Sequence, residues 1–173
     1  MEETQTFDTI AELAIALAGF SGIVAVLGNR FSGEWGAAEQ VRLRLLLEVS
    51  LLVVFLSFLP SLVARVAPSS VAWRVSNGAC GIAHLVPLVL FFLRWRRLGW
   101  QSPAHEPLRP LLYKVASAAF AMGGLAIILF QLLVAVGLPV VLPSLIYEVS
   151  LLWLLLAGAI QFVNLLLYRG AEV

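Results

Sequence analysis

The side chains best placed to do chemistry lie on the third apolar segment of the chain. Arg74, Asn77, Gly81 and His84 follow one another at spacings of three, four and three residues. These spacings place all four residues on one face of a helix. Because histidine titrates close to neutral pH, His84 is the strongest candidate in the sequence for taking up and releasing a proton.

A second interpretation of His84 is structural. Pro87 lies three residues further on, where it should kink the helix and free a backbone carbonyl nearby. A neutral His84 could hydrogen-bond to that carbonyl or to a neighbouring helix. Cys80 lies one turn from His84, an arrangement that would allow a cysteine–histidine nucleophile. A cysteine in such a helix more often fills space, so we expect the protein not to be an enzyme.

Glu48 lies about two turns inside the second apolar segment, and Arg44 precedes it by four residues. At that spacing the two side chains share a helical face and can form an ion pair. An adjacent arginine keeps a carboxylate ionised. A fixed charge that steers helix packing is therefore favoured over a proton carrier, which stays the alternative.

Four charged residues share one depth although they come from four different segments. Glu12 and Glu148 lie about one turn inside the first and fifth segments, and Arg65 and Arg74 flank the turn between the second and third. Because a charge in hydrocarbon is costly, we expect these acids and arginines to pair near the outer surface. The alternative is that each side chain only extends to the membrane interface.

Uncharged amides mark the last two segments. Gln161 and Asn164 share a helical face with Ser150 in the fifth segment, and Gln131 is the strongest polar group of the fourth. Amides commonly join membrane helices through hydrogen bonds, which is the expected role here. A hydrated vestibule lined by Gln161 and Asn164 is the alternative.

The elements that must position these residues are five apolar segments. They cover residues 7–28, 41–66, 71–94, 112–136 and 142–168. Each reaches about 20 residues, the length needed to cross a bilayer core about 30 Å thick. Of the 173 residues, 61% are hydrophobic and only 12% are charged, which is too little charge for a soluble globule. The sequence therefore predicts an all-α integral membrane bundle of five transmembrane helices, in one domain covering residues 1–173.

Positive charge divides unequally between the two sides of such a bundle. With alternating spans, nine of the eleven lysines and arginines fall on one side: Arg30, Arg42, Arg44, Arg94, Arg96, Arg97, Arg109, Lys114 and Arg169. The side richer in positive charge belongs in the cytoplasm, so we expect the N-terminus outside and the C-terminus in the cytoplasm. Trp73 and Tyr147 fall near helix ends, as in an aromatic belt.

The first segment carries small residues at helical spacing. Ala14, Ala18 and Gly22 repeat every four residues. Small residues let helix backbones approach closely. This pattern predicts that the first helix is buried, either at the centre of the bundle or against another subunit.

Several functions are disfavoured by what the chain contains. It has no nucleotide-binding or zinc-protease motif, and one cysteine cannot form a CxxC pair. Its basic residues form no stripe, so we expect no cofactor, no metal and no nucleic-acid partner. In architecture the chain resembles the small multi-span inner-membrane proteins of bacteria, which implies that it lies in that bilayer. Two functions remain: a subunit of a homo-oligomeric channel or transporter for a small ion or solute, or a structural or assembly protein.

Overall fold

The computed structural model describes residues 2–32, 37–97, 110–139 and 142–167. Within these ranges every regular element is an α-helix. The helices are α1 (Glu2–Ser32), α2 (Ala37–Val63), α3 (Ser69–Arg97), α4 (Pro110–Ala135) and α5 (Pro143–Leu167). The all-α class predicted from composition is confirmed for the part of the chain that is described.

Four helices are long and apolar enough to cross a membrane. The stretches are Gln5–Leu27 in α1, Gln40–Val63 in α2, Ala118–Ala135 in α4 and Pro143–Val163 in α5. The described part of α3 is not among them. It carries Arg74, Asn77 and His84, and most of its side chains from residue 90 onward lie outside the described part. By length and composition, these four helices are compatible with a membrane protein.

The turn between α2 and α3 differs from the predicted boundary. α2 ends at Val63, whereas the second apolar segment was expected to run to residue 66. Arg65 and Val66 instead donate their backbone N–H groups to carbonyls three residues earlier, at 3.3 and 3.1 Å. The carbonyl of Pro68 then accepts the first hydrogen bonds of α3. Residues 64–67 therefore form a tight turn, although Ala64, Val66 and Ala67 are apolar.

The centre of the bundle is α5, which packs against all four other helices. Within the described residues α1 packs along α2 and α5, so the prediction of a central α1 is wrong. Ala14 is buried, but a Cβ added at Gly19 or Gly22 would meet no atom within 4 Å. The central position goes to α5 because its buried Tyr147 and Ser150 need hydrogen-bond partners on the surrounding helices. The small residues of α1 can be satisfied by close packing against a single neighbouring helix. Contact of α1 with another subunit stays a prediction.

Three aromatic rings join α1, α3 and α5 at one end of the bundle. The ring centroids of Phe7, Trp73 and Tyr147 lie between 5.8 and 6.3 Å apart in all three pairs. Because each residue lies near the start of its helix, these three helices run in the same direction and α2 and α4 return. Tyr147 is fully buried and Trp73 is half-buried. The expected lipid-facing belt is therefore, at these two residues, an internal cluster.

The turn after α4 is fixed by Gly137 and Arg74. Gly137 has a φ of 84°, and the two hydrogen bonds of a Schellman motif close the end of the helix there. Arg74 of α3 donates from Nε to the carbonyl of Ala135, the last residue of α4, at 3.2 Å. A cation is favoured at the negative end of the helix dipole. Arg74 therefore holds the start of α3 beside the α4–α5 turn.

Candidate functional site

Polar side chains are buried where α3, α4 and α5 meet, and we call this set the polar seam. Its members are Asn77, Cys80 and His84 of α3, Gln131 of α4 and Ser150 of α5. His84 is 6% exposed and the other four are fully buried. Lipid supplies no hydrogen bonds, so buried polar groups in such a bundle must find partners on neighbouring helices or in bound solvent.

Glycines on α3 let α4 come close to the seam. A Cβ at Gly78 would lie 3.1 Å from the Cβ of Ala135. A Cβ at Gly81 would lie 3.4 Å from the Cβ of Gln131 and 3.6 Å from its Oε1. Gln131 therefore lies opposite Gly81, at a level between Asn77 and His84.

A chain of hydrogen bonds ties the three helices together. Gln131 Nε2 donates to Ser150 Oγ at 2.8 Å, and the Ser150 hydroxyl donates to the carbonyl of Tyr147 at 2.7 Å. The Sγ atom of Cys80 lies 3.3 Å from Ser150 Oγ. Because the Ser150 proton goes to a carbonyl, its oxygen must accept from Gln131. This fixes the Gln131 amide with its nitrogen toward Ser150 and its oxygen away. The cross-helix role expected for Gln131 is confirmed.

The amide of Asn77 is fixed in the same way. Its Nδ2 donates to the carbonyl of Trp73 at 2.9 Å and to the carbonyl of Pro143 at 3.2 Å. A reversed amide would set its oxygen against two carbonyl oxygens, so the assigned orientation is the favourable one. The bond to Pro143 ties α3 to the start of α5.

Six buried polar atoms have no hydrogen-bond partner among the residues described. They are Ser50 Oγ, Ser76 Oγ, Asn77 Oδ1, His84 Nδ1, His84 Nε2 and Gln131 Oε1. Four of them belong to the polar seam. A buried polar group left without a partner destabilises a protein by about 1–3 kcal/mol. The seam therefore holds hydrogen-bonding capacity that the described side chains do not use.

The predicted pair of Arg44 and Glu48 is present on α2. Arg44 Nε donates to Glu48 Oε1 at 2.8 Å. The two side chains are 71% and 35% exposed, so the pair lies at the surface of the bundle. The preference for a fixed charge over a proton carrier at Glu48 stays a prediction.

The four charges expected at one outer depth lie mostly at the bundle surface. Glu12, Arg65 and Arg74 are exposed, and Glu148 is half-buried. Arg74 has the carbonyl of Ala135 as a partner. The pairing of these acids with these arginines stays a prediction. On α5, Gln161 is half-buried, whereas the side chain of Asn164 lies outside the described part of the chain.

Sequence analysis missed the hydrogen bond that anchors Tyr147. The Tyr147 hydroxyl donates to the carbonyl of Leu56 in α2 at 2.7 Å. That carbonyl is free because Pro60, four residues later inside α2, has no N–H. Pro60 is the signal in the sequence that predicts this free carbonyl, just as Pro87 predicts one in α3.

Among the described residues no group of three or more histidine, cysteine or acidic side chains could hold a metal ion. Comparisons with protein families, with curated proteins and with solved structures found no match to this chain.

Proposed function

We propose that this chain is a subunit of an oligomeric channel or transporter that moves a small ion or solute along the polar seam. In this proposal all five helices cross the inner membrane of a bacterial cell. The N-terminus lies outside and the C-terminus lies in the cytoplasm. The observation that carries the proposal is the set of unpartnered atoms on Asn77, Gln131 and His84.

These atoms favour transport over a purely structural role. A polar group that serves only to join helices is expected to be fully hydrogen-bonded, because an unpaired group destabilises the bundle. Ser57 illustrates such a group: its buried hydroxyl donates to the carbonyl of Val53 at 2.9 Å within α2. A solute or water molecule moving along the seam would supply the bonds that Asn77, Gln131 and His84 lack.

The proposal requires α3 to cross the membrane as well. Its 29 residues extend about 44 Å as a helix, more than a bilayer core of about 30 Å. It packs against α2, α4 and α5, all of which are long and apolar enough to cross. Asn77 and His84 are buried among these helices and away from lipid, which makes the lower hydropathy of α3 compatible with a spanning position.

A structural or assembly role is the second candidate. The bonds from Gln131 to Ser150 and from Asn77 to the carbonyl of Pro143 join three helices. They favour this role because they stabilise the packing whether or not anything passes through the bundle.

Flux through purified protein in liposomes distinguishes the two candidates. We expect the unmodified protein to carry at least one small ion or neutral solute, and His84→Ala to reduce that flux by about tenfold, the effect of about 1.4 kcal/mol. Ser57→Ala is the matched control, since it removes a buried hydroxyl that is already bonded in its own helix. Chemical cross-linking in the same liposomes should give an oligomer. If the folded protein carries neither ions nor neutral solutes, the transport role is overturned and the structural or assembly role is favoured.

A further inference from the structure

We infer that the polar seam takes a small, neutral hydrogen-bond donor, of the class that includes water, urea and glycerol, in preference to a permanent ion. This inference rests on the proposed function and names the class of solute that it carries. The site lies between Asn77, Gly81 and His84 of α3 and Gln131 of α4.

The seam presents acceptors to a ligand. The nitrogen of Asn77 is bonded to two backbone carbonyls, and the nitrogen of Gln131 is bonded to Ser150. The atoms left over are the two amide oxygens, Oδ1 and Oε1, which have no partner among the described residues. A neutral His84 adds one further acceptor and one donor. A molecule that matches these groups must carry more than one donor hydrogen.

The seam also lacks a charge that could accompany an ion. Among the described residues, no aspartate, glutamate, lysine or arginine is buried. An ion that leaves water without a charged or metal-binding partner loses far more solvation energy than a neutral molecule does. A neutral donor gives up only hydrogen bonds, and the oxygens of Asn77 and Gln131 can replace them.

The length of the site suits small molecules. Asn77 and His84 are separated by seven residues, which is about 10 Å along a helix. Gln131 lies between them, opposite Gly81. Because Gly81 has no side chain, no atom of residue 81 beyond the backbone covers Gln131 Oε1. A methyl group at position 81 would lie 3.6 Å from that oxygen, in ordinary contact, and would cover it.

The test is solute flux into liposomes of phosphatidylethanolamine and phosphatidylglycerol that contain the full chain. Stopped-flow light scattering reports the entry of water, urea and glycerol, and fluorescent indicators report sodium, potassium and chloride in parallel. We expect neutral solutes to enter faster than in empty liposomes, with no added ion flux. This comparison uses the unmodified protein and does not depend on any variant.

Two variants test whether the solute passes Gly81. Gly81→Ala should lower neutral-solute flux by about tenfold, equivalent to one lost hydrogen bond, while the thermal unfolding temperature stays near that of the unmodified protein. Ser57→Ala is the control, because Ser57 lies outside the seam and its buried hydroxyl is bonded within α2.

The outcomes separate the inference from the proposed function. Ion flux without neutral-solute flux would overturn the inference and leave a channel or transporter. No flux of any kind through folded protein would overturn both. Equal reductions of flux by Gly81→Ala and Ser57→Ala would show that the solute does not pass the seam.

Discussion

At the scale of single residues, Pro60 and Tyr147 are linked by one backbone carbonyl. Pro60 leaves the carbonyl of Leu56 without its helical partner, and the Tyr147 hydroxyl takes that place at 2.7 Å. We predict that Tyr147→Phe lowers the free energy of unfolding by about 1–3 kcal/mol, because it leaves a buried carbonyl unpaired. Reversible unfolding in mixed detergent micelles measures the change.

The same carbonyl provides an internal control. Pro60→Ala restores an N–H in α2 that can bond to Leu56, so Tyr147→Phe should cost less when it is made in that variant. The double-mutant cycle should give a coupling of about 0.5 kcal/mol or more. Additive effects of the two substitutions would show that the proline does not create the acceptor for Tyr147.

At the scale of helices, the contact between α4 and α5 depends on a glycine beneath a tryptophan ring. Trp153 stacks on Phe120 with centroids 4.6 Å apart and planes inclined by 17°. A Cβ at Gly123 would lie 2.5 Å from Trp153 Cη2. Gly123→Ala should therefore force the ring or the helix to move, which lowers the free energy of unfolding by about 1–3 kcal/mol.

Gly19→Ala on α1 is the matched change for that experiment. A Cβ at Gly19 meets no atom within 4 Å, and alanine favours helix over glycine by up to about 1 kcal/mol. We expect this variant to be as stable as the unmodified protein or slightly more so. If Gly123→Ala and Gly19→Ala lower the free energy of unfolding equally, then α4 and α5 are not closely packed at Gly123.

At the scale of the whole molecule, hydropathy predicts the helices better than their arrangement. Because lipid offers the backbone no hydrogen-bond partners, a single apolar segment satisfies its own backbone only as a helix. Each of the five apolar segments accordingly corresponds to a helix in the described ranges. Which helix is central could not be predicted, because membrane helices are apolar on the lipid-facing side as well as the inner side. The position of α5 follows from the partners that Tyr147 and Ser150 find.

The same limit applies to the polar seam. The face of α3 that carries Asn77, Gly81 and His84 could be predicted from spacing within one helix. That Gln131 lies opposite Gly81 depends on how two helices are rotated and crossed, which the pattern of either helix alone does not determine. The orientation of the Asn77 and Gln131 amides depends on their hydrogen-bond partners, which lie on other helices as well as their own.

The orientation of α3 decides whether the molecule crosses the membrane five times. With α3 crossing, nine of the eleven positive charges fall on one side, whereas without that crossing the division is eight to three. The more unequal division favours the crossing, so Ser70 should lie outside and Gln101 in the cytoplasm. In a Cys80→Ala background, we expect Ser70→Cys to react with an impermeant maleimide in intact cells, and Gln101→Cys to react only after permeabilisation. Labelling of both from one side would show that α3 does not cross. Labelling of Gln101→Cys alone would keep the crossing and reverse the orientation, which would place the arginine-rich ends outside.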